Sequence, residues 1–320
     1  MSRPDDPVTL VLTFDDASLA PALCGPQHRH FALIEDAFGV RLDGAGGDVT
    51  VEGRSGDVAQ ARMAVEALYE RLQRGDAVGV EDARAAVAFA RKGGGAKPQG
   101  LALPGRRSLI APRTPAQAAY LEALRSPDAD LVFGVGPAGT GKTFLAAAVA
   151  VSALLEGQVT RVVVTRPAVE AGERLGFLPG DLNEKVDPYL QPIWDSLRTL
   201  LGPAQFERRR AAGDIEVAPL AFMRGRTLSD AFVIVDEAQN ATRLQMKMVL
   251  TRLGEGSRMA VNGDPTQVDL PRLEESGLIH ALGLLDGVRG VRAIRFGVED
   301  VVRHPLVSRI IARYEGEGRG

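Results

Sequence analysis

Cysteine is almost missing from this chain: Cys24 is the single one in 320 residues. An internal disulfide is thereby excluded, as is any zinc site built from several thiolates, and the usage fits a reducing cytosol. Cys24 itself is expected as a small buried hydrophobe. Long apolar runs are lacking too. The most apolar helical stretch, Phe144 to Leu155, falls short of the ~20 residues that a bilayer span needs. The opening MSRPDDPVTL has no charged start followed by an apolar stretch, so no secretory signal is expected. A cytoplasmic protein without a membrane partner is the expectation. Neither sign of charge dominates: the formal net charge is −3, so any polyanion must be met by local patches. What is present is a globular composition, 45% hydrophobic and 25% charged. The length suits roughly one to three domains.

The first region reads strand, helix, helix, strand, strand, helix. VTLVLTF (8–14) has strand character, and Ala17 to Leu23 reads as a short helix broken by Gly25-Pro26-Gln27. His30 to Phe38 puts Phe31, Ile34 and Phe38 on one helical face. Val40–Leu42 and DVTVEG (48–53) follow as strands around the turn Gly44-Ala45-Gly46-Gly47. Ser55 to Leu72 closes the unit as an amphipathic helix, with Val58, Ala61, Val65, Leu68 and Leu72 at helical spacing. This order resembles a KH domain, an RNA-binding module that grips backbone at a G-x-x-G loop between its first two helices. The loop would be Gly25-Pro26-Gln27-His28, where the second glycine is missing. His28, Arg29 and His30 are left to meet phosphate there; a structural or oligomerising use of the fold is the other reading.

Residues 80–91 add a helix, and RKGGGAKPQGLALPGRRS then reads as a linker. No acidic residue lies between Asp82 and Glu122, whereas Arg84, Arg91, Lys92, Lys97, Arg106, Arg107 and Arg113 all do. The stretch is either a solvated tether or an electrostatic strap for a phosphate backbone. A strap predicts a log–log salt slope of roughly −0.7 for each phosphate neutralised on single strands. The expected boundaries are thus a KH-like α+β domain over 1–75, helix and linker over 76–112, and a second domain over 113–320.

That second domain begins with a capping box, Thr114-Pro115-Ala116-Gln117, and continues as apolar strands alternating with helices. Such alternation predicts α/β architecture with a parallel sheet covered on both faces. The strand LVFGV runs into Gly136-Pro137-Ala138-Gly139-Thr140-Gly141-Lys142-Thr143 and a helix follows. This is the phosphate-loop pattern G-x-x-x-x-G-K-[ST] in the context it requires. Glycines let backbone N–H groups turn toward phosphate oxygens, Lys142 would reach the β- and γ-phosphates, and Thr143 would offer its hydroxyl to Mg²⁺. The helix from Thr143 would aim its positive end at the same phosphates. A nucleoside triphosphate is the implied ligand.

Downstream, Phe232-Val233-Ile234-Val235 ends in Asp236-Glu237-Ala238-Gln239. The carboxyl end of a buried strand beside the phosphate loop is where a Mg²⁺ carboxylate belongs, so Asp236 is expected to hold the cation. Glu237 is expected to orient and deprotonate the attacking water. Strand RMAVNGD leads to Gly263-Asp264-Pro265-Thr266-Gln267, where Gln267 can touch the γ-phosphate. A small-molecule kinase fits poorly, since a water-activating acid stands next to the metal carboxylate.

Phosphate loop, DEAQ and GDPTQ in that order resemble the RecA-like P-loop ATP site of superfamily 1 helicases. By that resemblance Thr165 and Arg166, at the head of 164–175, and Arg224 and Arg226 fall where single-stranded RNA would be contacted. Gln117 corresponds either to an adenine-reading glutamine or only to its capping box. Four phrases, TRPAVEAGERLGFLPGDLNEKVDPYLQPIWD, PLAFMRGRTLSDAFVIVDEAQN, QMKMVLTRLG and EDVVRHPLVSRII, are more specific: over about 110–314 the chain resembles the PhoH-like ATPase family. That resemblance implies an ATPase linked with RNA metabolism and, in some members, with an endoribonuclease of ribosomal RNA maturation. The rival expectation is an ATP-driven scaffold that recruits a protein partner.

Two-domain helicases complete the ATP site with arginines from a second RecA-like domain, and only residues 268–320 follow Gln267. The expectation is therefore a homo-oligomer, head to tail or ring-shaped, in which Arg303 of one copy reaches its neighbour's γ-phosphate. Arg224 and Arg226 are the next candidates.

Overall fold

The computed structural model describes residues 7–93, 100–105, 109–167, 182–272 and 275–302. The chain divides into two compact units, residues 1–100 with 111–118, and residues 101–110 with 119–320.

In the first unit, β1 (Pro7–Thr13) leads to α1 (Ala20–Cys24) and α2 (Arg29–Phe38), then β2 (Arg41–Ala45), β3 (Asp48–Arg54), α3 (Ser55–Gln73) and α4 (Val80–Arg91). The three strands form an antiparallel sheet in the order β1-β3-β2. Strand period and helix period meet in one core. Val49 and Val51 point inward from β3, and Phe31 and Ile34 come from α2. Val58, Ala61, Val65 and Leu68 come from α3. Cys24 is buried and free, as its small apolar character suggested.

Two boundaries differ from the sequence reading. Strand β2 continues through Gly44 and Ala45, so the turn shrinks to Gly46-Gly47. Helix α4, which the sequence grouped with the linker, belongs to this core through Ala83, Ala86, Val87 and Ala90. Its alanines are too small to signal a core face by hydrophobicity, yet they allow close packing on α3 and α2.

Gln27 (φ 54°) and His28 (φ 59°) are both left-handed, a conformation that glycine adopts freely and other residues at a cost of about 1 kcal/mol each. The conformational demand of the absent second glycine is therefore still present, and His28 meets it. Gly25 faces the His30 ring so closely that a Cβ would lie 2.6 Å from it. His30 is buried with Nδ1 3.1 Å from the Leu23 carbonyl oxygen, so it is a core residue rather than a phosphate ligand.

The second unit contains most of α5 (Pro115–Arg125), which the division crosses, then β4 (Leu131–Val135), α6 (Lys142–Leu155), β5 (Arg161–Arg166), α7 (Leu182–Leu201) and α8 (Pro203–Ala211). It continues with β6 (Ile215–Pro219), β7 (Ala231–Val235), α9 (Arg243–Leu250), β8 (Arg258–Gly263), α10 (Gly277–Leu284) and β9 (Val291–Arg295). Six parallel strands lie in the order β6-β5-β7-β8-β4-β9. One face, carrying Phe133, Val163, Val233 and Val261, packs on α9 and α10 through Met246, Val249 and Leu278. Helix α6, nearly all alanine, valine and leucine, packs against β5, β7 and β8. The result is an α/β fold with a doubly covered parallel sheet, and every strand delivers its carboxyl end to the same edge. No helix among the described residues is long and apolar enough to cross a membrane.

Candidate active site

Three loops meet at that edge: the phosphate loop after β4, the acids after β7 and the turn after β8. Gly136 sits at φ 146°, and its N–H donates to the Gly263 carbonyl at 3.1 Å. A Cβ at this position would lie 2.3 Å from the Phe296 carbonyl oxygen, so only glycine lets β9's end pass so close. Further along, the Val302 N–H donates to the Gly139 carbonyl at 3.0 Å. The loop is thus held by backbone from the end of β8 and from the segment after β9.

Lys142 folds back into this loop. Its ammonium donates to the carbonyls of Gly136 (2.6 Å) and Pro137 (2.7 Å) and to Thr140 Oγ1 (3.1 Å), and the residue is buried. Burial pulls its pKa below the usual lysine value, while Asp264, Asp236 and Glu237 pull the other way.

Thr143 Oγ1 donates to Asp236 Oδ1 at 2.6 Å. Asp236 is buried, and its N–H donates to the Thr165 carbonyl at 2.9 Å, which fixes its direction. Burial pushes its pKa up to about 6, with the Thr143 hydrogen bond opposing and the neighbouring Glu237 charge adding. Strand β7 is not next to β4 in the sheet: β8 lies between them. Two strand steps, ~4.8 Å each, separate the acids from the loop strand. The start of α6 closes that distance, since it carries Thr143 across β8 toward β7.

Glu237 has a left-handed backbone (φ 51°, ψ 38°). Its Oε2 accepts from Gln239 Nε2 at 2.6 Å and its Oε1 lies 3.4 Å from Arg166 Nη2. Asp264, buried at the end of β8, is the hub of the third loop. Its Oδ2 accepts from the Ala138 N–H (3.2 Å) and from Gln267 Nε2 (2.9 Å), and its Oδ1 accepts from Thr266 N–H and Oγ1. The Asp264 N–H donates to Gln239 Oε1 at 3.0 Å. Gln239, itself buried, therefore joins the DEAQ turn to the GDPTQ turn.

Lys142, Thr143, Asp236, Glu237 and Gln267 are thus brought together at this edge. Others are not. Thr165, expected at an RNA strand, is fully buried in the sheet, where its carbonyl serves Asp236 instead. Arg226 makes a bidentate pair with Glu216, at 2.5 and 2.7 Å, and is committed to the fold. Gln117 is buried with its Oε1 on the Arg113 N–H (2.7 Å) and its own N–H on Thr114 Oγ1, which is a helix-start role. Arg224 is exposed beyond β6. Arg303 lies outside the described residues, as do Lys97, Arg106, Arg107 and the span 168–175. Of the basic run, Arg84 and Arg113 pair with Glu81, and Arg91 donates to the Ala37 carbonyl.

Sequence reasoning passed over Tyr120, whose hydroxyl donates to Asn262 Oδ1 at 2.5 Å and whose ring meets Phe296 edge-on at 5.5 Å. Burial pushes the Tyr120 pKa far up, so the phenol stays neutral. Phe296 in turn lies 5.8 Å from the Lys142 ammonium. Nothing in the helical spacing of α5 or in the charged strand VRAIR announced these partners.

A family model described as "PhoH-like protein" matches residues 109–315. This chain belongs to the PhoH-like family. The PhoH-like protein of Mycobacterium tuberculosis strain H37Rv is 46% identical over 310 residues, 94% of this chain and 87% of that one. The PhoH-like protein of Bacillus subtilis strain 168 is 44% identical over 301 residues, covering 92% and 94%. Protein PhoH of Escherichia coli K12 is 48% identical over 224 residues, which cover 69% of this chain and 63% of that one. Among solved structures, the large terminase of the thermophilic bacteriophage D6E is similar at a TM-score of 0.42 and 15% identity over 62% of this chain and 49% of that one. The PhoH-like match spans the phosphate loop, both acids and the GDPTQ turn, so the site described above lies wholly within the family's shared region.

Proposed function

We propose that this protein binds ATP at the loop Gly136–Thr143 and hydrolyses it to ADP and phosphate, with turnover coupled to single-stranded RNA. The observation that carries the reading is the hydroxyl–carboxylate pair Thr143–Asp236 at the mouth of the phosphate loop, with Glu237 beside it. The donor set fits Mg²⁺. Among the described residues no group of three or more acids, histidines or cysteines would hold a metal alone, and Mg²⁺ takes few protein oxygens and completes its shell with phosphates and water. Thr143 and Asp236 would hold it, where it supplies charge to the developing phosphate oxygens.

In this reading Lys142 leaves the Gly136 and Pro137 carbonyls for β- and γ-phosphate oxygens, and the loop N–H groups donate to the same oxygens. Glu237 accepts a proton from the attacking water. The water oxygen bonds to the γ-phosphorus as the bond to the ADP oxygen breaks. Gln267, already turned toward the loop through Asp264, contacts the γ-phosphate. An arginine from a neighbouring copy in a head-to-tail homo-oligomer completes the charge, with Arg303 as first candidate.

RNA would lie across the carboxyl ends of β5 and β6. Arg166 ends β5 in register with Pro219, and the following turn exposes Phe222 (44%) and Arg224, an aromatic face and a cation suited to base and phosphate. The first unit has the strand and helix order of a KH domain and adds a second RNA surface in this proposal. An endoribonuclease partner is the further expectation from the family.

The test is ATPase rate with and without single-stranded RNA at two salt concentrations, alongside Glu237→Gln. Stimulation by RNA and a variant that binds ATP without turnover support the reading. Slow, RNA-independent turnover with nucleotide-dependent assembly would favour the scaffold instead. Mixed Lys142→Ala and Arg303→Ala subunits should restore partial activity if arginines act between copies.

A further inference from the structure

Glu237 is held in place on three sides. Its backbone is left-handed, which a non-glycine residue adopts only under local constraint. Gln239 Nε2 donates to one carboxylate oxygen, and Arg166 stands 3.4 Å from the other. Gln239 cannot drift. It is buried, its Oε1 accepts the Asp264 N–H, and its carbonyl accepts from Ser276 Oγ at 2.9 Å. Arg166 is different. It is the last residue of β5, its side chain is 26% exposed, and its partner's is 38% exposed.

The two contacts therefore differ in how easily they exchange. A partly exposed ion pair contributes little, because water and salt screen it and two long side chains must be ordered to keep it. A guanidinium makes better use of a phosphate group, which it can grip with two parallel N–H donors. Meanwhile, the contact holds the Glu237 carboxylate toward β5, on the side away from the phosphate loop's strand in the order β5-β7-β8-β4.

We infer that Arg166 is a positioning residue that restrains Glu237 until a backbone phosphate of single-stranded RNA takes the guanidinium, leaving Glu237 on Gln239 alone and free to turn toward the phosphate loop. This rests on the ATPase and RNA reading above and supplies the physical link between its two halves. Phe222 and Arg224 lie on the turn that follows β6, the strand paired with β5, so a strand stacked there would run its backbone past Arg166. The chain Arg166–Glu237–Gln239–Asp264 then ends on the Ala138 N–H of the phosphate loop itself.

The experiment measures ATP turnover of the full chain, with and without a uridine 20-mer, for the wild type, Arg166→Ala, Arg166→Gln and Arg166→Lys. Binding of the 20-mer is followed by fluorescence anisotropy, and folding by thermal melting. The expected result is that Arg166→Ala and Arg166→Gln raise RNA-free turnover by up to roughly fivefold, the range of a partly exposed ion pair. Their ratio of stimulated to basal rate falls toward one, the KM for ATP stays unchanged, and Arg166→Lys keeps an intermediate ratio. A wild-type ratio in the folded Ala or Gln variant overturns the inference, as does RNA-free turnover at or below the wild-type value. A wild type that RNA does not stimulate defeats the RNA reading instead. The restraint itself is then judged by RNA-free turnover of the variants, which must still exceed the wild type.

Discussion

Thr143 Oγ1 and Asp236 Oδ1 lie 2.6 Å apart although β4 and β7, the strands that lead to them, are not neighbours in the sheet. The pair includes a buried carboxylate whose pKa is pushed up to about 6, chiefly by burial. That residue carries charge at neutral pH at the expense of the fold.

Asp236→Asn should therefore stabilise the nucleotide-free protein at pH 8. The shift from 3.8 to about 6 corresponds to about 3 kcal/mol, an order-of-magnitude figure. A melting temperature higher by several degrees is expected in calorimetry, with the gain shrinking toward pH 5, where the wild-type carboxyl is already neutral. The same variant should lose the stabilisation that Mg²⁺ with a non-hydrolysable ATP analogue gives the wild type.

The pH dependence follows from the same group with opposite signs for folding and for cation binding. Its folded pKa lies above the unfolded value of 3.8, so its contribution to stability is fully present below that value and is lost as pH rises through about 6. Cation binding needs the ionised form. Apparent Mg²⁺ affinity in the presence of nucleotide should hold between pH 7 and 8 and fall by up to about tenfold per unit below pH 6. A titration of nucleotide fluorescence against Mg²⁺ at several pH values checks this.

Gly136→Ala combines a φ of 146° with a methyl 2.3 Å from the Phe296 carbonyl oxygen. The chain must move there, because the colliding atom is backbone. We expect a loss of about 2 kcal/mol in stability or more, and ATP affinity reduced by at least about tenfold, read by calorimetry. Ala substitution at Gly157, with nothing within 4 Å but φ 70°, should cost stability alone.

Arg224 and Arg226, two positions apart, should behave differently. Arg226→Ala breaks the bidentate pair with Glu216 and should cost about 1 kcal/mol, given the pair's partial exposure, with little change in RNA affinity. Arg224→Ala should leave the melting temperature alone and weaken RNA binding, with a shallower salt slope. Anisotropy at three salt concentrations separates the two.

Much of this was legible in the sequence because glycine and apolar patterning act locally. The phosphate loop follows from its glycines, and β4, β5, β7 and β8 from apolar runs that only a doubly covered sheet accommodates. The N-cap at Thr114 appears where Pro115 and Gln117 placed it, but only half of the expected capping box forms, because the Gln117 side chain accepts from the Arg113 N–H. The strands β6 and β9 were not legible: IEVAP is short and VRAIR is largely exposed at the sheet's edge, so neither carries an apolar signature. The order of strands was not legible either, because parallel neighbours are set by crossovers and leave no trace in the strands themselves. Contacts such as Tyr120–Asn262 and Gln239–Asp264 depend on that order, so they had to wait for the fold. Thr165 was misjudged for the same reason. A residue at a strand's end can face water or lie inside the fold, and Thr165, paired on both sides by β6 and β7, is fully buried.

The strand β8, lying between β4 and β7, has a consequence for how this site can change. The width of the slot that the loop helix bridges is gauged by backbone hydrogen bonds, two ladder steps with no side chain involved. Substitutions can alter what lines the slot but not how wide it is. A single-residue deletion within Arg258–Gly263 would instead turn Asn262 and its neighbours over to the opposite face and draw Asp264 out of line with Ala138 and Gln239. The width of this site is therefore insensitive to side-chain substitution and sensitive to register.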